Sequence, residues 1–127
     1  MGQDLQNVME TIKYRGQVYK VYEGQVLASG NNNGVDEIDC LKFYEGTFFI
    51  NCSAIVTTGG VVVTIQTKNP DPLITKYEDL VAFTSLAAIG SEKKGVNGNL
   101  GSRLSIKWDF TTTTSFTFSV YAVLKVV

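Results

Sequence analysis

Apolar and polar side chains alternate most regularly at the C-terminal end of the chain. Arg103-Leu104-Ser105-Ile106-Lys107-Trp108 alternates strictly at first, and Asp109 and Thr111-Thr112-Thr113-Thr114 then interrupt the pattern. Beyond the interruption Phe116, Phe118, Val120, Ala122 and Leu124 share one parity, and Thr117, Ser119, Tyr121, Val123 and Lys125 the other. A period of two sends successive side chains to opposite faces of a sheet. The pattern predicts two antiparallel strands joined by a short polar connection, a hairpin whose aromatic and aliphatic face needs a cover.

Upstream segments supply that cover. Val18-Tyr19-Lys20-Val21-Tyr22 and Gln25-Val26-Leu27-Ala28-Ser29 read as strands around Glu23-Gly24, a tight turn or a bulge. Gly30-Asn31-Asn32-Asn33-Gly34 is a loop signal, because Asn and Gly tolerate positive φ. Residues 35–43 carry Val35, Ile38, Cys40 and Leu41, and Tyr44-Glu45-Gly46 turns the chain. Thr47 to Val56 predicts a long strand, Thr57-Thr58-Gly59-Gly60 a connection, and Val61 to Thr67 a further strand. Pro70 and Pro72 place Lys68-Asn69-Pro70-Asp71-Pro72 in an exposed loop. Leu80 to Phe83 reads as strand, and Ser91 to Gly101, rich in Gly and Asn, as a mobile loop or wide turn. Leu5, Val8, Met9 and Ile12 follow the i, i+3, i+4, i+7 spacing of a short amphipathic helix. The sum is an all-β chain, an antiparallel β-sandwich or jelly roll of about eight strands over residues 17–127, preceded by an N-terminal arm or short helix over residues 1–16.

Composition narrows the function classes. A length of 127 residues with 44% hydrophobic and 18% charged residues suits one globular domain. The net charge of -1, with acids and bases interspersed, offers no footprint for nucleic acid. No apolar run reaches the roughly 18 residues of a membrane span, and the N-terminus has neither the basic nor the apolar region of a signal peptide. Synthesis in a cytoplasm is expected, with Cys40 and Cys52 as reduced, buried thiols rather than a disulfide.

The absence of histidine removes Ser/His and Cys/His nucleophile systems and histidine-based metal sites. Gly95-x-x-Gly98-x-x-Gly101 lacks the Lys-Ser/Thr ending of a phosphate loop. Asp36, Glu37 and Asp39, near the Asn31-Asn32-Asn33 loop, form the one dense carboxylate cluster, but their spacing matches no EF-hand. Asn51-Cys52-Ser53 fits a glycosylation sequon inside an expected core strand. The expectation is therefore of no enzyme, no catalytic residue, no cofactor and no metal. Trp108 shares the parity of Leu104 and Ile106 and is expected in the core, whereas Tyr44 and Tyr77 are candidates for stacking on a sugar. Leu5, Val8, Met9, Ile12 and Tyr14 on the arm, with Tyr19 and Tyr22 beside it, are the candidate partner-binding residues.

The order of several strands resembles a known family. Val61-Val62-Val63-Thr64-Ile65-Gln66-Thr67, Val81-Ala82-Phe83-Thr84, Leu100-Gly101-Ser102-Arg103-Leu104-Ser105-Ile106-Lys107-Trp108 and Ser115-Phe116-Thr117-Phe118-Ser119-Val120 follow one another as in small virion proteins of tailed bacteriophages. The likeness runs from about Val26 to Lys125; Ser102-Arg103 is compressed against the family pattern, and residues 1–24 have no counterpart in it. The resemblance implies a β-sandwich structural protein of the virion, first a capsid decoration (cement) protein that binds and stabilises the head lattice. Its implied partners are the major capsid protein and copies of itself, as a homotrimer, with the arm or the loops making contact. Two alternatives stay open: a minor tail or baseplate protein, and a carbohydrate-binding module for host attachment.

Overall fold

A computed structural model describes residues 16–126. It contains β1 (Gln17–Val26), β2 (Gly30–Asn31), β3 (Ile38–Asp39), β4 (Glu45–Lys68), β5 (Tyr77–Ala82), β6 (Gly90–Asn97) and β7 (Arg103–Lys125). No helix occurs among the described residues.

Two strands dominate. β4 has 24 residues and β7 has 23, and they pair antiparallel from Glu45↔Lys125 to Thr67↔Leu104. Register shifts between Cys52 and Ala54, and around Thr57 to Gly60, bend this ladder and carry it from one sheet into another. Beyond the bend on one side, residues 113–125 of β7 lie between β1 and residues 45–57 of β4, and β6 closes the far edge. On the other side residues 103–111 of β7 lie between the short β2 and β3 and residues 60–68 of β4, with β5 at the edge. With β2 and β3 counted as one broken edge, the chain forms two four-stranded sheets in the order of a jelly roll, which has no barrel closure but covers each inner face with the other.

The core lies between these sheets. Trp108, from the second sheet, meets Phe118 edge-on at 5.9 Å and Tyr22 at 4.9 Å, both on the first. Phe116 and Phe118 stack at 4.4 Å, and Phe48, Ile50, Val61, Val63, Ile65, Leu104 and Ile106 complete the interior. Each side chain of this size contributes roughly 1.5–3 kcal/mol when fully buried. The predicted all-β jelly roll and the core position of Trp108 hold.

Several local expectations change. Residues 103–108 and 116–124 do not pair with each other as a hairpin; each half of β7 pairs with a different half of β4. The threonines between them are β-branched and stay nearly extended, with only Thr112 at positive φ (47°), so the strand turns a corner instead of reversing. Likewise Thr57-Thr58-Gly59-Gly60 is a bend within one strand, not a connection between two. Glu23-Gly24 neither turns nor interrupts β1, whose register shift falls between Lys20 and Tyr22. Residues 35–43 contribute only β3 as strand. Most of the supposed loop at 91–101 is β6, an edge strand whose pairing comes wholly from Glu45 to Cys52. The expected arm at residues 1–16 lies outside the described residues except for Gly16.

Candidate functional site

The two outer faces of the sandwich differ in how their polar groups are used. On the second sheet they are committed within the chain. Ser105 Oγ donates to Asn33 Oδ1 at 2.8 Å, Gln66 Nε2 donates to Asp79 Oδ1 at 3.1 Å, and Lys107 pairs with Asp79 at 3.4 Å. Thr64, Gln66 and Ser105 are buried on this polar surface, Ser105 against Asn33 and Gln66 against Asp79 of β5. Asn32 completes that edge: its Oδ1 accepts from Ile106 N at 2.8 Å, its own N donates to Ile106 O at 3.1 Å, and its Nδ2 donates to Val21 O at 3.4 Å.

Most of the residues weighed as cation ligands are occupied in the same region. Asn31 Oδ1 accepts from Asn33 N, Asp39 Oδ1 from Leu41 N, and Glu37 Oε2 from the Tyr77 hydroxyl. No group of three or more such ligands gathers among the described residues. Burial first, and then the Glu37 hydrogen bond, push the Tyr77 hydroxyl above its usual pKa. Tyr77 is thereby held on Glu37 while Tyr44 is exposed elsewhere, and the structure does not bring these two sugar-stacking candidates together.

The first sheet is open on its outer face. Register places Lys20, Tyr121, Phe49 and Lys93 in one row across β1, β7, β4 and β6. Phe49 and Tyr121 are 42% and 39% exposed, although each sits on a central strand of its sheet. The neighbouring row is Glu23, Ser119, Asn51 and Ser91, and on the other side lie Val18, Val123, Thr47 and Gly95. Phe49, Asn51, Ser91, Lys93, Ser119 and Tyr121, together with Ile50 and Glu92, line a depression of about 470 Å³. Glu92, on the adjoining backbone, points its carboxylate away to Thr84 N and Oγ1, both at 3.2 Å, and to Lys94 at 3.5 Å. Partial burial opposes its ionisation, but these partners outweigh burial and hold its pKa below the usual carboxylate value.

Of the candidate partner residues, Leu5, Val8, Met9, Ile12 and Tyr14 lie outside the described residues. Tyr19 is half-buried, edge-on to Phe43 at 5.8 Å, with its hydroxyl donating to Gln17 Oε1. Tyr22 turns inward and stacks on Phe118 at 5.2 Å, so its ring serves the core. Sequence reasoning missed the Phe49–Tyr121 row. Phe49 lies between Phe48 and Ile50 in an apolar run, and only its odd parity, shared with Asn51 and Ser53, marks it as outward.

The two cysteines are not reactive groups of a site. Both are free and buried, and Cys40 Sγ lies 3.4 Å from Gly101 O and 3.7 Å from Leu100 O. Burial, reinforced by the neighbouring Asp39 charge, raises the Cys40 thiol to about 11; burial also raises Cys52.

No protein-family model matches the chain, and no curated protein matches it in sequence. Solved structures do share its fold. It is similar to the Eiger TNF from S. frugiperda (TM-score 0.59, 11% identity, 89% of this chain and 94% of that one). It is also similar to the SPBc2 prophage-derived protein YomS (TM-score 0.52, 9% identity, 86% and 92%) and to the K1 cleaved adhesin domain of Lys-gingipain from Porphyromonas gingivalis W83 (TM-score 0.50, 10% identity, 89% and 91%). At these identities the likeness establishes the β-sandwich, and function has to be argued from the surface.

Proposed function

We propose that the chain is a non-enzymatic structural component of a tailed-bacteriophage particle, and specifically a decoration protein on the outside of the head. The observation that carries this reading is where the resemblance falls. The segments at 61–67, 100–108 and 115–120 are consecutive parts of the two long strands that build the jelly roll, and 81–84 extends the β5 edge. The likeness thus follows most of the scaffold in order, from about Val26 at the end of β1 to Lys125 at the end of β7, and is not an isolated motif. The prophage-derived YomS agrees with this setting at the level of fold.

The physical role suits such a scaffold. Many copies on one lattice, each with a modest interface, reinforce contacts between capsomers through their combined avidity. The partners in this reading are the major capsid protein and further copies of the chain, as a homotrimer on a three-fold position. The test is co-sedimentation of the purified chain with expanded shells, together with its copy number on purified virions. Decoration requires binding to shells, a rise in their thermal midpoint and many copies per particle. A handful of copies, with antibody label on the tail, replaces the head reading with a tail one. Failure to bind any part of the particle removes both.

A further inference from the structure

We propose that the outer face of the first sheet is a saccharide-binding platform for acidic, carboxylate-bearing sugars. The proposal rests on this face alone and is independent of whether the chain decorates a head or a tail. Phe49 and Tyr121 are direct cross-strand partners on the two central strands, and both rings remain partly exposed at the floor of the 470 Å³ depression. That volume lies within the roughly 300–1,000 Å³ of small-molecule sites. Aromatic faces carry partial negative charge and attract the polarised C–H groups on one side of a pyranose ring.

The rim supplies what a sugar's hydroxyl groups need. Asn51, Ser91 and Ser119 line the depression, and their side chains form no hydrogen bond to any of the described residues. The second sheet, where equivalent outward groups bond one another, shows how differently an unused face is finished. What sets these two rings apart from the scattered exposed apolar residues is that they adjoin across the central strands as one patch.

Charge selects the class of sugar. The row ends in two lysines. Lys20 is engaged by Glu23 at 3.5 Å, and Lys93 has no carboxylate partner among the described residues. The acid nearest Lys93 in sequence, Glu92, also lines the depression, but its carboxylate is committed to Thr84 and Lys94. Lys93 therefore stands at the edge of the aromatic floor as a cation able to form charge-assisted hydrogen bonds to a sugar carboxylate.

The experiment is a glycan array carrying uronic-acid, sialic-acid and neutral glycans, probed with the full chain, followed by calorimetric titration of the best acidic hit and its neutral counterpart. Binding is expected to be strongest to acidic glycans, with their neutral counterparts bound more weakly. Phe49→Ala and Tyr121→Ala should each abolish the array signal. Lys93→Gln should weaken the acidic hit by about tenfold at low salt and leave its neutral counterpart unaffected, a change equivalent to ~1.4 kcal/mol. Lys93 is exposed and its variant keeps the fold, so the test stands even where an aromatic variant lowers stability. Three results each overturn the proposal: no acidic glycan bound, neutral glycans bound equally well, or binding retained in Tyr121→Ala. If Phe49→Ala releases the chain from shells while no glycan binds, the face is a protein interface and not a sugar site.

Discussion

Asn32 shows how much of the fold depends on single polar side chains. The second sheet loses its regular edge after β2, and the Asn32 carboxamide replaces the missing strand by satisfying Ile106 N and Val21 O. Asn32→Ala leaves that amide buried without a partner, at a cost of about 1–3 kcal/mol. A urea titration should show a lowered midpoint with unchanged slope; an unchanged midpoint means that water replaces the carboxamide. Cys40 makes the opposite kind of statement. Its folded pKa of about 11 lies above the unfolded value, so the folded state holds the proton more tightly. Its contribution is fully present below the unfolded pKa near 8.5 and is lost as pH rises towards about 11, on the order of 3 kcal/mol in all. Melts of wild type and Cys40→Ala at pH 8 and pH 10.5 test this: the wild type should lose more stability between the two. A parallel decline in both proteins assigns the alkaline loss to other groups.

At the scale of elements, the corner shared by β4 and β7 decides whether the chain makes one sheet or two. Thr57 Oγ1 and Thr113 Oγ1 lie 2.7 Å apart, Thr113 Oγ1 donates to Gly60 O at 3.0 Å, and Thr114 Oγ1 donates to Val56 O at 3.3 Å. These hydroxyls satisfy backbone carbonyls where the ladder slips. Gly59 has to be glycine because a Cβ there would collide with the Thr111 carbonyl oxygen, a backbone atom that cannot swing aside. Gly59→Ala is expected to cost about 1–3 kcal/mol, as overpacking does. The measurement is a guanidinium midpoint compared with Gly34→Ala, at a glycine where an added Cβ has open space but positive φ. An equal or smaller loss at Gly59 shows that the corner yields.

The corner also explains which parts of the fold were legible. Alternation along 45–52, 61–67, 103–108 and 116–124 is a property of each strand by itself, and it named the core correctly, Trp108 included, whereas beyond Cys52 the register shift turns Ala54 and Val56 outward. Pairing is not such a property. The threonine run reads equally as a hairpin connection or as a corner, and the difference lies in partners more than forty residues away in β4. β6 was hidden for a related reason: Ser91-Glu92-Lys93-Lys94-Gly95 has no apolar face, and a charged edge strand owes its conformation to its neighbour. The Phe49–Tyr121 platform is likewise a product of register, since parity marks each residue as outward but only the alignment of the two strands sets them side by side.

For the whole molecule, the proposed attachment to a phage particle turns on which surface would make it. The sandwich presents an open aromatic face on one sheet and a self-satisfied polar face on the other, and the arm precedes both in sequence. Gly16, with φ of 77°, lies so close to the end of β7 that an added Cβ would meet the Leu124 carbonyl oxygen, and the pairing of β1 begins at the next residue. The expected outcome of deleting residues 1–15 is an unchanged thermal midpoint, because β1 and its pairing with β7 begin at Gln17. Binding to expanded shells should be lost, because Leu5, Val8, Met9, Ile12 and Tyr14 carry the apolar contacts proposed for the lattice. Co-sedimentation of the truncated and full chains, run beside Tyr121→Ala, separates the surfaces. Loss with the deletion alone places attachment on the arm and frees the aromatic face for a ligand. Loss with Tyr121→Ala alone places attachment on the sheet, and the saccharide platform then has no surface left to occupy.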